Sequence, residues 1–266
     1  MNIEKDSVEA ALRRRGFTCM SANPGENLIF PPGFPDEKKA RYYNLLKKYS
    51  FRLFLRDVIR FRDSFEAKDL SRYCSISTAK KYMQIMERDG IIEKAHGEKF
   101  RLIPDGVKSF GDTFEWFVAK IFENEFGCPS AWNLTLKEAK TGGDFDVIAF
   151  MEGNLVYLEL KSSPPKHVEQ NEVSAFFERV VALKPGLAIF LEDTHLRMKD
   201  KIVMFFEAEL KKRFGEKFYN KFPLKRMVKE LFAVGDRICI INSQRDIVSN
   251  IGFCLKTFLQ RKIDYS

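Results

Sequence analysis

The sequence predicts an α/β fold, with a mixed central sheet flanked by helices, preceded by a mostly helical domain. From residue 107 onward, apolar runs of strand length alternate with longer stretches of helical periodicity. Apolar residues make up 45% of the 266 residues, which is enough for a sizeable core. Residues 36–106 instead show helical periodicity, and a short strand pair comes only at their end.

The elements of residues 36–106 follow from periodicity and from turn residues. Four stretches have a clear pattern: helices at 42–61, 66–74 and 77–90, and two short strands within 91–103. Ser77 is the expected N-cap of the third helix, and Gly90 is its expected end. The predicted order is helix, helix, turn, helix, hairpin.

The third of these helices has two distinct faces. Its inner stripe is Ala79, Tyr82, Met83 and Met86, and its outer face carries Lys80, Lys81, Gln84 and Arg88. With the hairpin, this order resembles the winged helix-turn-helix family. The resemblance implies that the outer face enters the major groove of duplex DNA. A winged helix used for protein contacts or dimerisation is the alternative.

The remaining elements alternate between helix and strand. We predict helices at 112–126, 167–184, 198–214 and 247–261, and strands at 131–137, 145–151, 155–162, 187–192 and 237–242. The domains we expect are an N-terminal extension at 1–35, a helical domain at 36–106 and an α/β domain at 107–266.

Charge and cysteine content narrow the class of protein. The net charge is +8, and residues 1–106 carry 21 basic against 15 acidic side chains, which favours a polyanionic partner such as DNA. The five cysteines are scattered without a CxxC pair, so a zinc site is not expected.

No apolar run reaches the roughly 20 residues of a membrane helix, and the N-terminus is too charged for a signal peptide. We therefore expect a cytoplasmic protein without membrane contact.

The stretch GDFDVIAFMEGNLVYLELKSS at residues 143–163 places charged residues in two apolar runs. Gly153-Asn154 predicts a hairpin between the runs. Strand alternation puts Asp146 near the start of the first strand and Glu159 near the end of the second, and these ends are adjacent in an antiparallel pair. Lys161 lands beside both acids. Asp144 shares the face of Asp146, either as a ligand or as an ordering residue for the preceding glycine loop.

Two carboxylates and a lysine at one sheet edge suit hydrolysis of a phosphodiester. Mg²⁺ held by one or two carboxylates neutralises charge at the scissile group and activates water. Lys161 can stabilise the developing negative charge or orient the water. A lowered pKa would let it act as a base.

The string Gly143-x-x-Asp146-(x)12-Glu159-Leu160-Lys161 resembles the PD-(D/E)xK nuclease superfamily, particularly its Holliday-junction-resolvase and restriction-endonuclease-like branches. The resemblance covers roughly residues 108–195 and implies an αβββαβ core. It implies that Asp146, Glu159 and the carbonyl of Leu160 bind the metal and that Lys161 is catalytic.

The same resemblance extends to three further residues. It implies that Glu115, on the first helix, holds a second metal or a metal-bound water. Gln170 resembles the glutamine of the RecB-like branch, although Ser174 stands where that motif has tyrosine. Ser162, just after the second strand, could contact phosphate.

The sequence therefore predicts a metal-dependent DNA endonuclease that uses Mg²⁺, with Mn²⁺ as a substitute, and no small-molecule cofactor. A homodimer is compatible with this function, because cutting both strands of a duplex needs two sites. Two alternatives remain open at this point. One is a non-catalytic DNA-binding regulator whose nuclease-like domain mediates dimerisation, and the other is an RNA-directed nuclease.

Overall fold

The chain is represented by a computed structural model that describes residues 7–162 and 164–260. These residues form two compact units. The first, which we call the sheet unit, contains the described residues up to Asn23 and those from Val118 onward. The second, the helical unit, is Pro24–Phe117. Helix α5 (Gly111–Phe126) contributes residues to both.

This division differs from the predicted domains. The predicted extension 1–35 is split, because the described residues before Pro24 fold with the sheet unit. Helix α1 (Val8–Arg13) buries Val8, Ala11 and Leu12 in the core of that unit, at the spacing of one helix face. Residues 107–117 belong to the helical unit rather than to the α/β part.

The helical unit contains three complete helices and a hairpin. Its elements are α2 (Asp36–Leu46), α3 (Tyr49–Arg60), α4 (Ile76–Arg88), β2 (Ile92–Lys94) and β3 (Phe100–Leu102). The predicted helix 42–61 is two helices, because the backbone of Lys48 is extended. The guanidinium of Arg52 donates to the carbonyl of Leu46 at 2.6 Å and so satisfies the end of the first of them.

Two further predictions for this unit were wrong. Residues 66–74 form turns and not a helix. Local hydrogen bonds compete with helical ones there, since Asp69 accepts the N–H of Glu66 at 2.9 Å and Ser71 donates to the carbonyl of Lys68 at 2.8 Å. The N-cap of α4 is Ser75 and not Ser77, because the Ser75 hydroxyl accepts the N–H of Thr78.

The sheet unit is built on eight strands, which confirms the predicted mixed sheet flanked by helices. The strands are β1 (Cys19–Ser21), β4 (Ser130–Leu136), β5 (Phe145–Met151), β6 (Asn154–Lys161), β7 (Leu187–Glu192), β8 (Leu224–Val228), β9 (Leu231–Val234) and β10 (Ile238–Asn242). Their order in the sheet is β1-β4-β5-β6-β7-β10-β9-β8. β6 pairs in parallel with β7, and β7 pairs in parallel with β10; the other neighbours are antiparallel.

The helices of the sheet unit depart from the predicted boundaries at their ends. They are α1, the second part of α5, α6 (Gln170–Leu183), α7 (Met204–Lys221) and α8 (Ile247–Leu259). A 3-10 turn precedes α6, and a π-helical turn precedes α7. The first helical part of α7 ends at the predicted position, 214, because Gly215 has a non-helical backbone with φ 81° and ψ 165°. A second, unpredicted part continues to Lys221. The predicted end of the last helix at Arg261 lies outside the described residues.

Three strands of the sheet were not predicted. β1 has three residues and β9 has four, too few for a pattern to show. β8 is an edge strand whose side chains are exposed or half-buried, so its sequence LKRMV lacks the alternation that marks a strand packed on one face.

A tight hairpin between β5 and β6 determines where the charged residues lie. Its two-residue turn is Glu152-Gly153, both at positive φ, and Met151 pairs with Asn154. The turn is thus one residue earlier than predicted, because Asn154 already belongs to β6. Above the sheet, Phe176 of α6 packs on Tyr157 and Phe190 with ring centroids 5.9 and 5.7 Å apart.

Among the residues that the structure describes, no helix combines the length and the apolar character that crossing a membrane requires.

Truncating Phe176 tests the packing of α6 on the sheet. This side chain is fully buried and contacts four other rings, so Phe176→Ala should lower the free energy of unfolding by about 3–5 kcal/mol. Phe253→Ala, at a ring that is 38% exposed, is the control and should cost clearly less. Urea unfolding followed by circular dichroism measures both, and equal losses would contradict the packing described.

Candidate active site

Asp146, Glu159 and Lys161 lie together at one end of the β5–β6 hairpin. The register pairs Val147 with Leu158, and the next pair in the same register is Asp146 with Glu159. Glu159 is 2% exposed, so its charge must be balanced by neighbouring groups. The strand alternation that places these side chains on one face also places Phe190 of β7 beside Glu159.

Glu159 is bound by three side chains. Lys161 Nζ lies 3.1 Å from Glu159 Oε1, and Arg179 Nη1 donates to Glu159 Oε2 at 3.0 Å. The hydroxyl of Tyr157 donates to Oε2 as well. Two cations and one neutral donor therefore offset the cost of burying this carboxylate.

Asp146 stands beside this network. Its Oδ2 accepts the backbone N–H of Leu160 at 2.6 Å. Burial, followed by the negative charge of Glu159, raises the pKa of Asp146 to about 8. The two carboxylates are thus close enough for the charge of Glu159 to disfavour ionisation of Asp146.

Lys161 is held in its charged form. Its Nζ contacts Glu159 at 3.1 Å and Glu172 at 3.0 Å. Burial acts to lower the pKa of Lys161, but the acids around it outweigh burial, and the net pKa is raised. The expectation that a lowered pKa would make Lys161 a base is therefore corrected: the structure favours an ammonium at neutral pH.

Two residues of this network were missed by the sequence analysis, Glu172 and Arg179. They stand seven residues apart on α6, which is two helical turns and hence one face of the helix. Arg179 also donates to the carbonyl of Gly142 at 2.9 Å and so attaches the loop before β5 to the cluster. Gly143 is at φ 77°, and a Cβ there would lie 2.8 Å from Arg179 Nη2. The seven-residue spacing of Glu172 and Arg179 was the sequence feature that could have predicted that both lie on one face of α6.

Gln170 and Glu115 are two further residues that the family resemblance singled out. The side-chain amide of Gln170 donates to the carbonyl of Phe205 at 3.2 Å and to the carboxylate of Glu209 at 3.3 Å. Both acceptors belong to α7. Glu172 is the residue of this helix turn that contacts Lys161, at 3.0 Å. Glu115 lies on the part of α5 that belongs to the helical unit.

Two polar residues border the cluster. Ser162 follows β6 directly and is half-buried. Asp144 is exposed and accepts the hydroxyl of Thr135 at 2.6 Å, so it orders the start of β5. Its distinct environment makes Asp144 a matched control for Asp146.

The donor set at Asp146 and Glu159 suits a hard divalent cation. Carboxylate oxygens are the ligands that Mg²⁺ prefers, and Mg²⁺ commonly uses one or two of them and keeps waters of its own. Burial and the negative charge of Glu159 raise the pKa of Asp146, and a cation bound by the two acids would offset both effects. Within the described part of the chain, no group of three or more His, Cys, Asp or Glu side chains is arranged to hold a metal. A cation here would thus depend on these two acids, with backbone carbonyl or water as further ligands.

The outer face of α4 in the helical unit is exposed as its periodicity predicts. Lys80, Lys81, Gln84 and Arg88 are exposed, and the buried stripe is Ala79, Tyr82, Met83 and Met86. A groove of about 520 Å³ runs between this face and the β2–β3 hairpin. Its charged lining is mixed, with Lys68, Lys80 and Lys94 facing Glu66, Glu87 and Glu98.

Comparisons with known proteins give weak likenesses. No protein-family model and no curated protein matches the chain. One similar solved structure is protein VC1899 from Vibrio cholerae, with 14% identity, a TM-score of 0.45 and coverage of 73% of this chain. Another is Can2 from Sulfobacillus thermosulfidooxidans in complex with cyclic tetra-adenylate, with 12% identity, a TM-score of 0.49 and coverage of 96%. The chain spans 55% and 61% of the lengths of these two proteins, and likenesses of this strength carry no argument about function.

The raised pKa of Asp146 predicts a pH-dependent stability in metal-free buffer. The folded carboxyl binds its proton up to a pH of about 8, whereas the unfolded one loses it near 4. Between these values the folded state binds more protons, so this group makes the protein less stable as pH rises. Asp146→Asn removes that contribution.

Relative to Asp146→Asn, the wild type should therefore lose stability from pH 4 to pH 8 and show no further change above it. Urea midpoints of both proteins across this range, with EDTA present, measure the difference. A difference that stays flat with pH would show that the pKa of Asp146 is not raised.

Proposed function

We propose that the chain is a metal-dependent nuclease of the PD-(D/E)xK type that hydrolyses phosphodiester bonds in DNA. One observation carries the proposal: two carboxylates and a lysine meet at one end of the β5–β6 hairpin, with Glu159 buried and Lys161 only 3.1 Å from it. The antiparallel pairs β4–β5–β6 followed by the parallel pair β6–β7, with α5 before and α6 between, agree with a restriction-endonuclease-like core.

Asp146 and Glu159 are the residues that would hold Mg²⁺ or Mn²⁺, with the carbonyl of Leu160 as the further ligand that the family resemblance implies. The ion, when bound, supplies charge neutralisation at the scissile phosphate and a lowered pKa for a bound water. A bound cation would offset the repulsion between the charge of Glu159 and ionised Asp146, which favours its binding.

Lys161 supplies a fixed positive charge. Its ammonium is held between Glu159 and Glu172, at 3.1 and 3.0 Å, so its position is set before substrate arrives. In this position it stabilises the negative charge that develops on the phosphoryl oxygens during attack. The raised pKa keeps it protonated in that role.

Glu172 and Arg179 act through their neighbours. Glu172 orients Lys161, and Arg179 orients Glu159 while it binds the loop at Gly142. Both come from α6, so this one helix positions the charged groups of β6 and the loop before β5.

The helical unit is proposed to bind duplex DNA as a winged helix. Helix α4 would enter the major groove with Lys80, Lys81, Gln84 and Arg88, and the β2–β3 hairpin would form the wing. Lys80 and Gln84 also line the neighbouring groove of mixed charge, whereas Lys81 and Arg88 do not.

A cleavage assay tests the proposed nuclease. Labelled duplex, single-stranded, flap and four-way-junction DNA, and RNA, are incubated with Mg²⁺, Mn²⁺ or EDTA. We expect metal-dependent cutting of DNA that falls at least about 100-fold in Asp146→Asn and Lys161→Ala.

Asp144→Asn is the matched control and should cut like the wild type, because Asp144 bonds Thr135 outside the cluster. DNA binding without cutting under any condition would favour the non-catalytic regulator instead. Cutting of RNA alone would move the substrate from DNA to RNA.

The helical unit gives a separate prediction about duplex binding. Replacing Lys80 and Lys81 together by alanine should weaken duplex binding and reduce the slope of log K against log salt concentration by about 1–2, because each phosphate contact contributes about 0.9. Lys256→Ala, at an exposed lysine of α8, should leave the slope unchanged. An unchanged slope in the double variant would remove α4 as the DNA-binding helix.

A further inference from the structure

A row of aromatic side chains borders an apolar groove on the sheet unit. Phe214 and Phe218 lie on either side of the break in α7 at Gly215, and Phe222 directly follows the helix. Their ring centroids are 4.8 and 5.2 Å apart along this row. Phe214 is 41% exposed and Phe222 is 38% exposed. Exposed aromatic rings in a row are uncommon on surfaces that only face water, and such patches mark binding sites.

The groove itself is large enough for a planar ring. It has a volume of about 760 Å³ and lies between α6, α7 and the turn that joins β9 to β10. Its walls include Phe177, Val180 and Val181 of α6 opposite Phe214 and Phe218 of α7. Pockets for organic ligands commonly have volumes of about 300–1,000 Å³ and largely apolar walls.

Basic residues outnumber acidic ones in the lining of the groove and in the chain that follows Glu216. Lys184 and Arg237 line the groove and are exposed, and Asp236 is its one acidic member within the described residues. From Lys217 to Lys229 the chain carries five basic residues and no acidic residue. The exposed Lys217 and Lys221 belong to this run and stand among the aromatic residues of α7.

We propose that this groove binds single-stranded DNA, with bases stacked on the phenylalanines and phosphates along the lysines. Proteins that bind single strands without regard to sequence stack aromatic side chains on the bases and place basic side chains along the phosphates. A duplex would not use the groove, because its bases are already stacked and paired. The apolar lining also offers few partners for a 2′-hydroxyl, which favours DNA over RNA.

Other occupants fit the groove less well. A second copy of the chain would bring the same lysines against these lysines, and like charges would repel. A membrane surface is flat, whereas the groove is concave between two helices. An apolar peptide would make no use of the cations.

The groove lies close to the candidate active site without sharing residues with it. Arg179 of α6 contacts Glu159, and the adjacent Val180 and Val181 line the groove. Ala188, which lines the groove, stands two positions before Phe190, the neighbour of Glu159, a distance of about 7 Å along β7. The groove could therefore hold the single-stranded part of a substrate, although its binding of DNA does not rest on the proposed nuclease activity.

Fluorescence anisotropy with the full chain tests this inference. The probe is a labelled oligo-deoxythymidylate of about 15 nucleotides, in EDTA so that no cleavage takes place. Phe214→Ala and Phe222→Ala should each weaken binding about tenfold, the loss expected for one stacked base. Phe214→Tyr should retain binding because it keeps the ring, and Phe253→Ala, outside the groove, should behave like the wild type.

Charge is tested by a matched pair of lysine variants. Lys217→Glu should weaken binding of the single strand, whereas Lys256→Glu on α8 should do so far less. Duplex binding should be unaffected by the groove variants, which separates this site from the helical unit. Thermal melting of each variant ensures that the comparison is made between folded proteins.

Several outcomes would overturn the inference. These are no binding of the single strand by the wild type, equal binding by the wild type and both alanine variants, or tighter binding of oligo-uridylate than of oligo-deoxythymidylate. Self-association in gel filtration that Phe214→Ala abolishes, with single-strand binding unchanged, would assign the groove to a second copy. Sedimentation with phosphatidylcholine–phosphatidylserine vesicles that depends on Phe214, again with unchanged DNA binding, would assign it to a membrane.

Discussion

The buried carboxylate of Glu159 is the constraint on which the site depends. A charge that is 2% exposed would be very costly alone, so the surrounding residues supply Lys161, Arg179 and the hydroxyl of Tyr157. Each partner fixes something else in turn. Lys161 also contacts Glu172, and Arg179 also binds the carbonyl of Gly142 in the loop before β5. The contacts of Glu159 therefore connect the end of β6, one face of α6 and the loop that leads into β5.

The same arrangement leaves Asp146 in an unfavourable environment. It lies beside Glu159, and burial and that negative charge raise its pKa to about 8. A second acid beside the buried Glu159 does not stabilise the fold. Unfavourable groups of this kind gather at functional sites, and the relief offered by a cation is a physical reason to regard the pair as a metal site.

The sequence predicted those features that depend on local pattern. Alternation and the glycine turn placed Asp146, Glu159 and Lys161 on adjacent strands, and the strand bounds Phe145–Met151 and Leu187–Glu192 agree with the structure. What it missed depends on contacts between distant segments. Arg179 meets Glu159 only because α6 packs over β6. The acids that raise the pKa of Lys161 likewise come together only in the folded sheet unit. Short or edge strands such as β8 carry too little pattern to be predicted.

The most direct test of the central claim is a calorimetric titration of the metal-free protein with Mn²⁺. The account predicts heat from a binding event that is abolished in Asp146→Asn and retained in Asp144→Asn, because only Asp146 faces Glu159. This result would not depend on finding the right substrate. An absence of heat in the wild type, or the same isotherm in Asp146→Asn, would contradict the claim that these two acids form a metal site.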